Sequence, residues 1–237
     1  MKTFIKNNTP FIVLVFSTLF LFSSCKLDDN YTYTEVSGVA AVNAIPGTKK
    51  VSIALDQNRL NSNWNEHFNY TDFLYYRKAY PGTRQVSVYA SNSIANDGGR
   101  QWLKQQVTLN PGLFYSLFVV GKDSTDAEIL LTEDNFSTKN NRVAQVRFMN
   151  LSPDEEAISF TVSKLDSLNF INKKFKAYQP FKEYATGEVY KITLSSGTLK
   201  KEFDFKPVSG KVYTIWAKGL KDATDEANSF GYQITAY

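Results

Sequence analysis

The chain has 237 residues, with 27 Lys and Arg against 23 Asp and Glu and a formal net charge of +4. That balance is too weak for the electrostatic footprint of a nucleic-acid-binding protein. One cysteine cannot form an internal disulfide and one histidine cannot make a His-based metal cluster, so no metal and no cofactor is expected.

Lys2 and Lys6 precede an apolar run from Phe11 to Phe22, which ends at Ser23, Ser24 and Cys25. A positive start, a short apolar stretch and small residues before a cut mark a secretory signal over residues 1–24. The run is well below the roughly 20 residues that a membrane-spanning helix needs. The placement of Cys25 resembles a bacterial lipobox, in which the cysteine becomes the acylated first residue of the mature chain. Ser23 and Ser24 suit the pattern, whereas Phe22 stands where leucine is usual. Lipidation would also consume a thiol that is otherwise a liability in a secreted protein. The alternative is an ordinary signal cut elsewhere.

Lys26 followed by Asp28 and Asp29 resembles the surface-export signal of Bacteroidota lipoproteins. The expectation is therefore an outer-membrane lipoprotein held through Cys25 and exposed at the cell surface, with the periplasmic face as the alternative. Residues 25–37 would be the lipidated cysteine and a polar tether reaching at most about 40 Å. Removing residues 1–24 takes away two lysines and no acids, so the mature chain is closer to neutral still.

From residue 38 onward the sequence repeats itself. Val39, Asn43 and Pro46 recur at one constant spacing as Val146, Asn150 and Pro153. The alternating run Val51–Leu55 answers Ile158–Val162, and Gly82 in Tyr-Pro-Gly answers Gly187. Gly112-Leu-Phe-Tyr115-Ser-Leu-Phe118-Val-Val-Gly121 answers Gly210-Lys-Val-Tyr213-Thr-Ile-Trp216-Ala-Lys-Gly219. The spacing shortens toward the end, so the first copy carries extra loop residues. A unit near 100 residues is too long for a solenoid repeat and reads as two tandem domains, 38–141 and 142–237. Within each, apolar residues alternate with polar ones over short runs. Pro46-Gly47, Pro81-Gly82, Pro111-Gly112, Pro153-Asp154 and Ser196-Gly197 break those runs. Period-2 alternation and regular turns predict an all-β protein of two immunoglobulin-like β-sandwiches after a lipoprotein signal peptide.

The motif Val146-Arg-Phe-Met-Asn150-Leu-Ser-Pro153-Asp154 and the later segment Gly210–Gly219 resemble the family of domains of unknown function numbered 4397. The first copy departs from it at Ile45 and Gly47. The resemblance implies extracytoplasmic β-sandwich modules. It carries no assigned activity, and so no functional residue.

No catalytic residue is expected. A Ser-His-Asp site would rest on His67 alone, which lies in the polar loop Asn63-Trp-Asn-Glu-His67. Asp123, Asp126 and Glu128, and again Asp222, Asp225 and Glu226, come after the ends of repeated strands. Clustered carboxylates suit calcium, but Asp and Thr at such places more often bond their own backbone in turns. Trp216 aligns with Phe118 inside a strand and reads as core. Trp64, Tyr70 and Trp102 lie where the first copy is longer, among Asn, Arg and Gln. Rings on polar loops can hold sugars, which makes these three the candidate glycan-binding residues. The competing reading folds them back as lids on the core. The primary expectation is a non-catalytic envelope protein with a binding or structural role and a protein partner in the envelope. A surface glycan-binding accessory with a polysaccharide partner is the alternative.

Overall fold

Short runs of β-branched and aromatic residues, cut by glycines in left-handed conformations, leave the chain little choice but sheets. The computed structural model describes residues 35–61, 68–90, 100–136 and 142–237. The proposed signal, Cys25, Trp64 and His67 lie outside those residues. Among the described residues no α-helix forms, and a single 3₁₀ turn occurs at Asp166–Leu168.

The first half comprises β1 (Ser37–Asn43), β2 (Ser52–Leu55), β3 (Asn58–Arg59), β4 (Phe73–Ala79), β5 (Gly82–Tyr89), β6 (Gln101–Leu109), β7 (Phe114–Val120) and β8 (Glu128–Glu133). The second comprises β9 (Val143–Asn150), β10 (Ile158–Val162), β11 (Phe170–Lys173), β12 (Lys182–Ala185), β13 (Tyr190–Ser196), β14 (Leu199–Phe205), β15 (Val212–Lys218) and β16 (Gly231–Ala236). Each half builds two four-stranded sheets. Their orders are β4-β1-β7-β8 and β3-β2-β5-β6, then β12-β9-β15-β16 and β11-β10-β13-β14. The second pair reproduces the strand order of the first. Ser37, the last residue of the expected tether, is already strand and buried.

The likeness extends to register and to single hydrogen bonds. β1 and β7 run parallel with Val39 opposite Tyr115 and Val42 opposite Phe118. β9 and β15 do the same with Val146 opposite Tyr213 and Met149 opposite Trp216. The repeated asparagine closes each first strand. Asn43 Oδ1 accepts the Ile45 N–H at 3.2 Å and Asn150 Oδ1 accepts the Ser152 N–H at 3.0 Å. Their carbonyls accept from Thr71 and Lys176, two residues held at φ 71° and 69°. The repeated tyrosines reach back five residues: Asn110 N–H donates to the Tyr115 hydroxyl and Val208 N–H to that of Tyr213. Each is a tyrosine corner, a phenol bonded back to the main chain a few residues upstream.

Each pair of sheets encloses its own core. Ile53, Phe68, Val88 and Leu117 are fully buried in the first, and Phe148, Phe160, Phe170 and Ile215 in the second. A third apolar cluster joins the halves. Val42, Phe118 and Val120, from the outer face of β1 and β7, meet Met149 of β9, Leu151 just beyond it and Trp216 of β15. The molecule is thus four sheets stacked face to face, with the two inner sheets covered on both sides. Strands covered on both faces read as near-continuous apolar runs, which is how Phe114–Val120 and Val212–Ala217 read. Trp216 is buried as expected, but in this seam rather than inside a sandwich. Each large side chain buried there contributes roughly 2–3 kcal/mol.

Beside the apolar seam lies a buried ion pair. Arg147 and Asp134 have side chains 1% and 0% exposed, and Nη1 lies 2.6 Å from Oδ1. Arg147 also donates to Thr132, Thr214 and the Tyr237 hydroxyl. Its guanidinium sits 4.5 Å from the Phe181 ring centroid. The second Asp134 oxygen accepts from the Tyr76 and Ser116 hydroxyls, each at 2.6 Å. Asp134, Ser116 and Tyr76 come from one half, and Arg147, Thr214 and Tyr237 from the other. Burial and the adjacent Asp134 push the Tyr76 hydroxyl far above its ordinary range.

Candidate functional site

The ion pair lies toward the starting ends of the parallel strands β1, β7, β9 and β15. At their finishing ends the two halves part and leave a cavity of about 620 Å³. That volume falls within the range of small-molecule pockets. Gly47–Lys49, just past β1, and Asn69–Thr71, just before β4, wall it from the first half. Lys218, the last residue of β15, with Asp225, Asn228 and Gln233, walls it from the second. The chain enters β1 at the opposite end of the sheet, about 20 Å away at the rise of a strand.

Local hydrogen bonds fix both walls. Tyr70 N–H donates to the Thr48 carbonyl at 2.9 Å, and Asn69 donates through both nitrogens to Asp72 Oδ2. Asn228 donates to both oxygens of Asp225, which holds that carboxyl below its usual range. The walls are pinned together where Gly47 N–H donates to Asn228 Oδ1 at 2.6 Å. Gly47 has φ 73°, a conformation that aims its N–H across the seam at no steric cost.

Tyr70 and Lys218 give the cavity its chemistry. Tyr70 is half-buried against the seam cluster, and its hydroxyl lies fully buried near Gly219 without completing a hydrogen bond. Burial raises that hydroxyl far above the usual phenol range. The part of Tyr70 that solvent meets is therefore ring and main chain. Lys218 Nζ stands 5.5 Å from the ring centroid and donates to the Ala227 carbonyl at 2.7 Å. Desolvation lowers its pKa, against the opposing pull of Asp225 and Glu226.

Of the three candidate glycan residues, Tyr70 lines this cavity. Trp102 lies on β6 and is partly buried against the first core, in a different cluster from Tyr70, and Trp64 is outside the described residues. The acidic segments behave as turns. Asp126 accepts from Lys122 and Asp123 N–H, and Asp123 from both donors of Thr125. Among the described residues no group of three or more His, Cys, Asp or Glu side chains could hold a metal.

Sequence reasoning does not single out Lys218, Asn228 or Arg147, although a signal exists for two of them. Aligned by strand register, Lys218 stands where the first half has Val120, and Arg147 where it has Ala40. At both positions a base in the second half stands where the first half has an apolar side chain.

One family model matches the chain, "Domain of unknown function (DUF4397)", over residues 37–161. The match covers the first half and runs through most of β10. No curated protein matches. Among solved structures, a family 26 carbohydrate-binding module from Eubacterium rectale Amy13K, in complex with maltoheptaose, is 9% identical. It aligns with 85% of this chain and 96% of its own, at a TM-score of 0.26. A proposed cell adhesion protein from Bacteroides eggerthii DSM 20697 is 10% identical, covering 85% and 95%, at a TM-score of 0.20. At those scores neither structure transfers a function.

Proposed function

This chain belongs to the DUF4397 family, whose description assigns no activity, and from its own residues we propose a non-catalytic, lipid-anchored envelope protein that binds through the seam cavity. In this reading residues 38–141 and 142–237 are two tandem copies of one immunoglobulin-like sandwich, and Cys25 carries the lipid. The observation that carries the reading is the position of the cavity, built by both halves at the end opposite Glu35. A tether entering at Glu35 would place the opening on the side away from the membrane, facing incoming ligands. Its side chains are arranged for holding rather than reacting: Asp225 is occupied by Asn228, and Thr48 donates to the Ile45 carbonyl. Tyr70 in the wall favours, as a second reading, a surface glycan-binding accessory.

The test is metabolic palmitate labelling and membrane fractionation of the wild-type chain and Cys25→Ala, with protease treatment of intact cells. Label and membrane retention lost in Cys25→Ala, and cleavage of the wild type on intact cells, are expected. A Cys25→Ala chain that stays lipidated would overturn the anchor, and protection of the wild type would place it on the periplasmic face.

A further inference from the structure

The two ends of the strand stack differ in what they show to solvent. Tyr80 follows β4, whose Ala79 pairs with Ser37 at the start of β1, and Phe114 opens β7 opposite Gly38. Val36 precedes β1, and its carbonyl accepts the Gly112 N–H at 3.2 Å. In the second half Val189 lies between β12 and β13, Val208 between β14 and β15, and Leu165 beyond β10. Register places these three connections at the same, starting end, since Ala185 pairs with Val143, Tyr190 with Phe205 and Val162 with Ile192. All six side chains are exposed, from 37% for Leu165 to 68% for Tyr80. Among the described residues the other large apolar side chains exposed to this degree are Tyr75 and Ile171 within strands and Tyr178, which pairs with Met149.

Each of the six sits on a different connection, and two of those turns are visibly fixed. Arg84 donates to the Tyr80 carbonyl at 2.8 Å and to the Pro81 carbonyl at 2.6 Å, and the Tyr213 hydroxyl accepts the Val208 N–H. Bases accompany the apolar tips. Arg59, Arg77, Lys78 and Arg84 line a recess of about 220 Å³ beside Tyr80, with Asp56 as the acid in its wall. Lys206 and Lys211 flank Val208 and Lys164 precedes Leu165, against Glu35, Asp166 and Glu188. The finishing-end turns instead carry Asp123, Asp126, Asp154, Glu156, Asp225 and Glu226 alongside Lys122 and Lys221. Separate tips with one apolar side chain apiece suit a flat surface, whereas a peptide needs a continuous groove or a strand edge. Apolar side chains among lysines and arginines gain both from burial at a lipid interface and from attraction to anionic headgroups.

We propose that the starting end of the strands docks on the surface of a membrane that contains anionic lipid. The proposal rests on the lipid-anchored reading of the chain and adds to it a fixed orientation. Residues 25–34 would reach at most about 35 Å when extended, so an anchor at Cys25 would keep this end, where the chain enters at Glu35, beside the bilayer. A face held there needs little affinity of its own, because the tether supplies a high effective concentration. Docked this way, the molecule turns the seam cavity away from the lipid.

The experiment reads contact with lipid at single labelled thiols in the full chain, reconstituted in phosphatidylethanolamine–phosphatidylglycerol vesicles and recovered by flotation. Tyr80→Cys and Val208→Cys each carry a nitrobenzoxadiazole label, Lys122→Cys is the finishing-end control, and the unsubstituted chain gives the background from Cys25. Nitroxide-headgroup lipid is expected to quench the labels at positions 80 and 208 and to leave that at position 122 at its lipid-free intensity. Lys206→Glu/Lys211→Glu in the Val208→Cys chain is expected to lower the ratio of docked to free chain about fivefold or more. A melting curve of each variant matching the wild type shows that it is folded. Quenching at none of the three positions, at all three alike, or at only one of 80 and 208 would overturn the docking, while flotation of the same chain leaves the anchor standing. Quenching that the charge variant leaves unchanged would overturn the part played by anionic lipid. Labels at 80 and 208 shielded from aqueous iodide only at raised protein concentration would assign the face to a second copy of the chain instead. Quenching at 80 and 208 in a chain that takes no palmitate would overturn the anchor and leave the docking standing, and a chain that does not float would overturn both.

Discussion

Replacing Asp134 by alanine strips the buried seam of the carboxylate in contact with Arg147. The side chain is wholly inaccessible, so no water takes its place without a rearrangement. The change leaves a buried guanidinium without a counter-ion. It also leaves the Tyr76 and Ser116 hydroxyls without the acceptor each holds at 2.6 Å. Removing one partner of a buried pair costs about 3–5 kcal/mol. The Thr132, Thr214 and Tyr237 oxygens that remain around Arg147, and the Phe181 ring under it, favour the lower part of that range. With a urea dependence of about 2–3 kcal/mol per molar for a chain of this size, the midpoint falls by roughly 1–2 M. Trp216 lies in the seam and reports the transition by fluorescence. The double variant Asp134→Leu/Arg147→Met removes both charges together and is expected to recover most of the loss, because a buried pair adds little over well-packed apolar groups. An Asp134→Ala midpoint within about 0.3 M of the wild type, or a double variant no better than the single, would refute this account of the seam.

Buried hydroxyls and strand closures give two further expected outcomes. Burial holds Tyr70, Tyr76 and Tyr184 protonated well beyond the ordinary value of 10.0. The unfolded chain releases those protons near pH 10 and the folded chain keeps them, so stability is complete below that pH and falls as pH rises above it. Urea midpoints at pH 9 and pH 10.5 check this, and a flat profile would contradict it. Asn43→Ala removes hydrogen bonds to Thr48 and Phe68 and from Ile45, at a cost of about 2–3 kcal/mol. Asn150→Ala is expected to behave alike, and chemical denaturation of both variants gives the comparison.

The features legible in sequence are those that act within one half of the chain. Val39, Asn43, Tyr115 and Gly121 and their counterparts recur because each sandwich needs the same strand closures and corners. Alternation also locates most inward-facing residues, such as Ile53 and Val88. The joining of the halves is concealed. Phe118 and Trp216 read as core because the second burying face belongs to residues far away in the chain, and period alone does not say which core. Asp134 and Arg147 are close in sequence, yet nothing local shows that they face each other across two sheets. The cavity is hidden for the same reason. Tyr70 stands out as an aromatic ring in a polar loop, whereas Lys218 and Asn228 acquire their meaning from the other half of the chain.

The buried pair also sets an order of events. A nascent chain extended only through Asp134 holds every strand of the first half, but not Arg147, Met149 or Trp216. Until those residues emerge, that half has a carboxylate, two hydroxyls and the side chains of Val42, Phe118 and Val120 turned to water. Completion of the first half thus waits on synthesis of the second, and anything that holds the unfinished chain has this face to grip. An arrest after β8 (Glu128–Glu133) would leave a sandwich with a sticky side, whereas arrest beyond Lys218 would leave both halves able to close on each other.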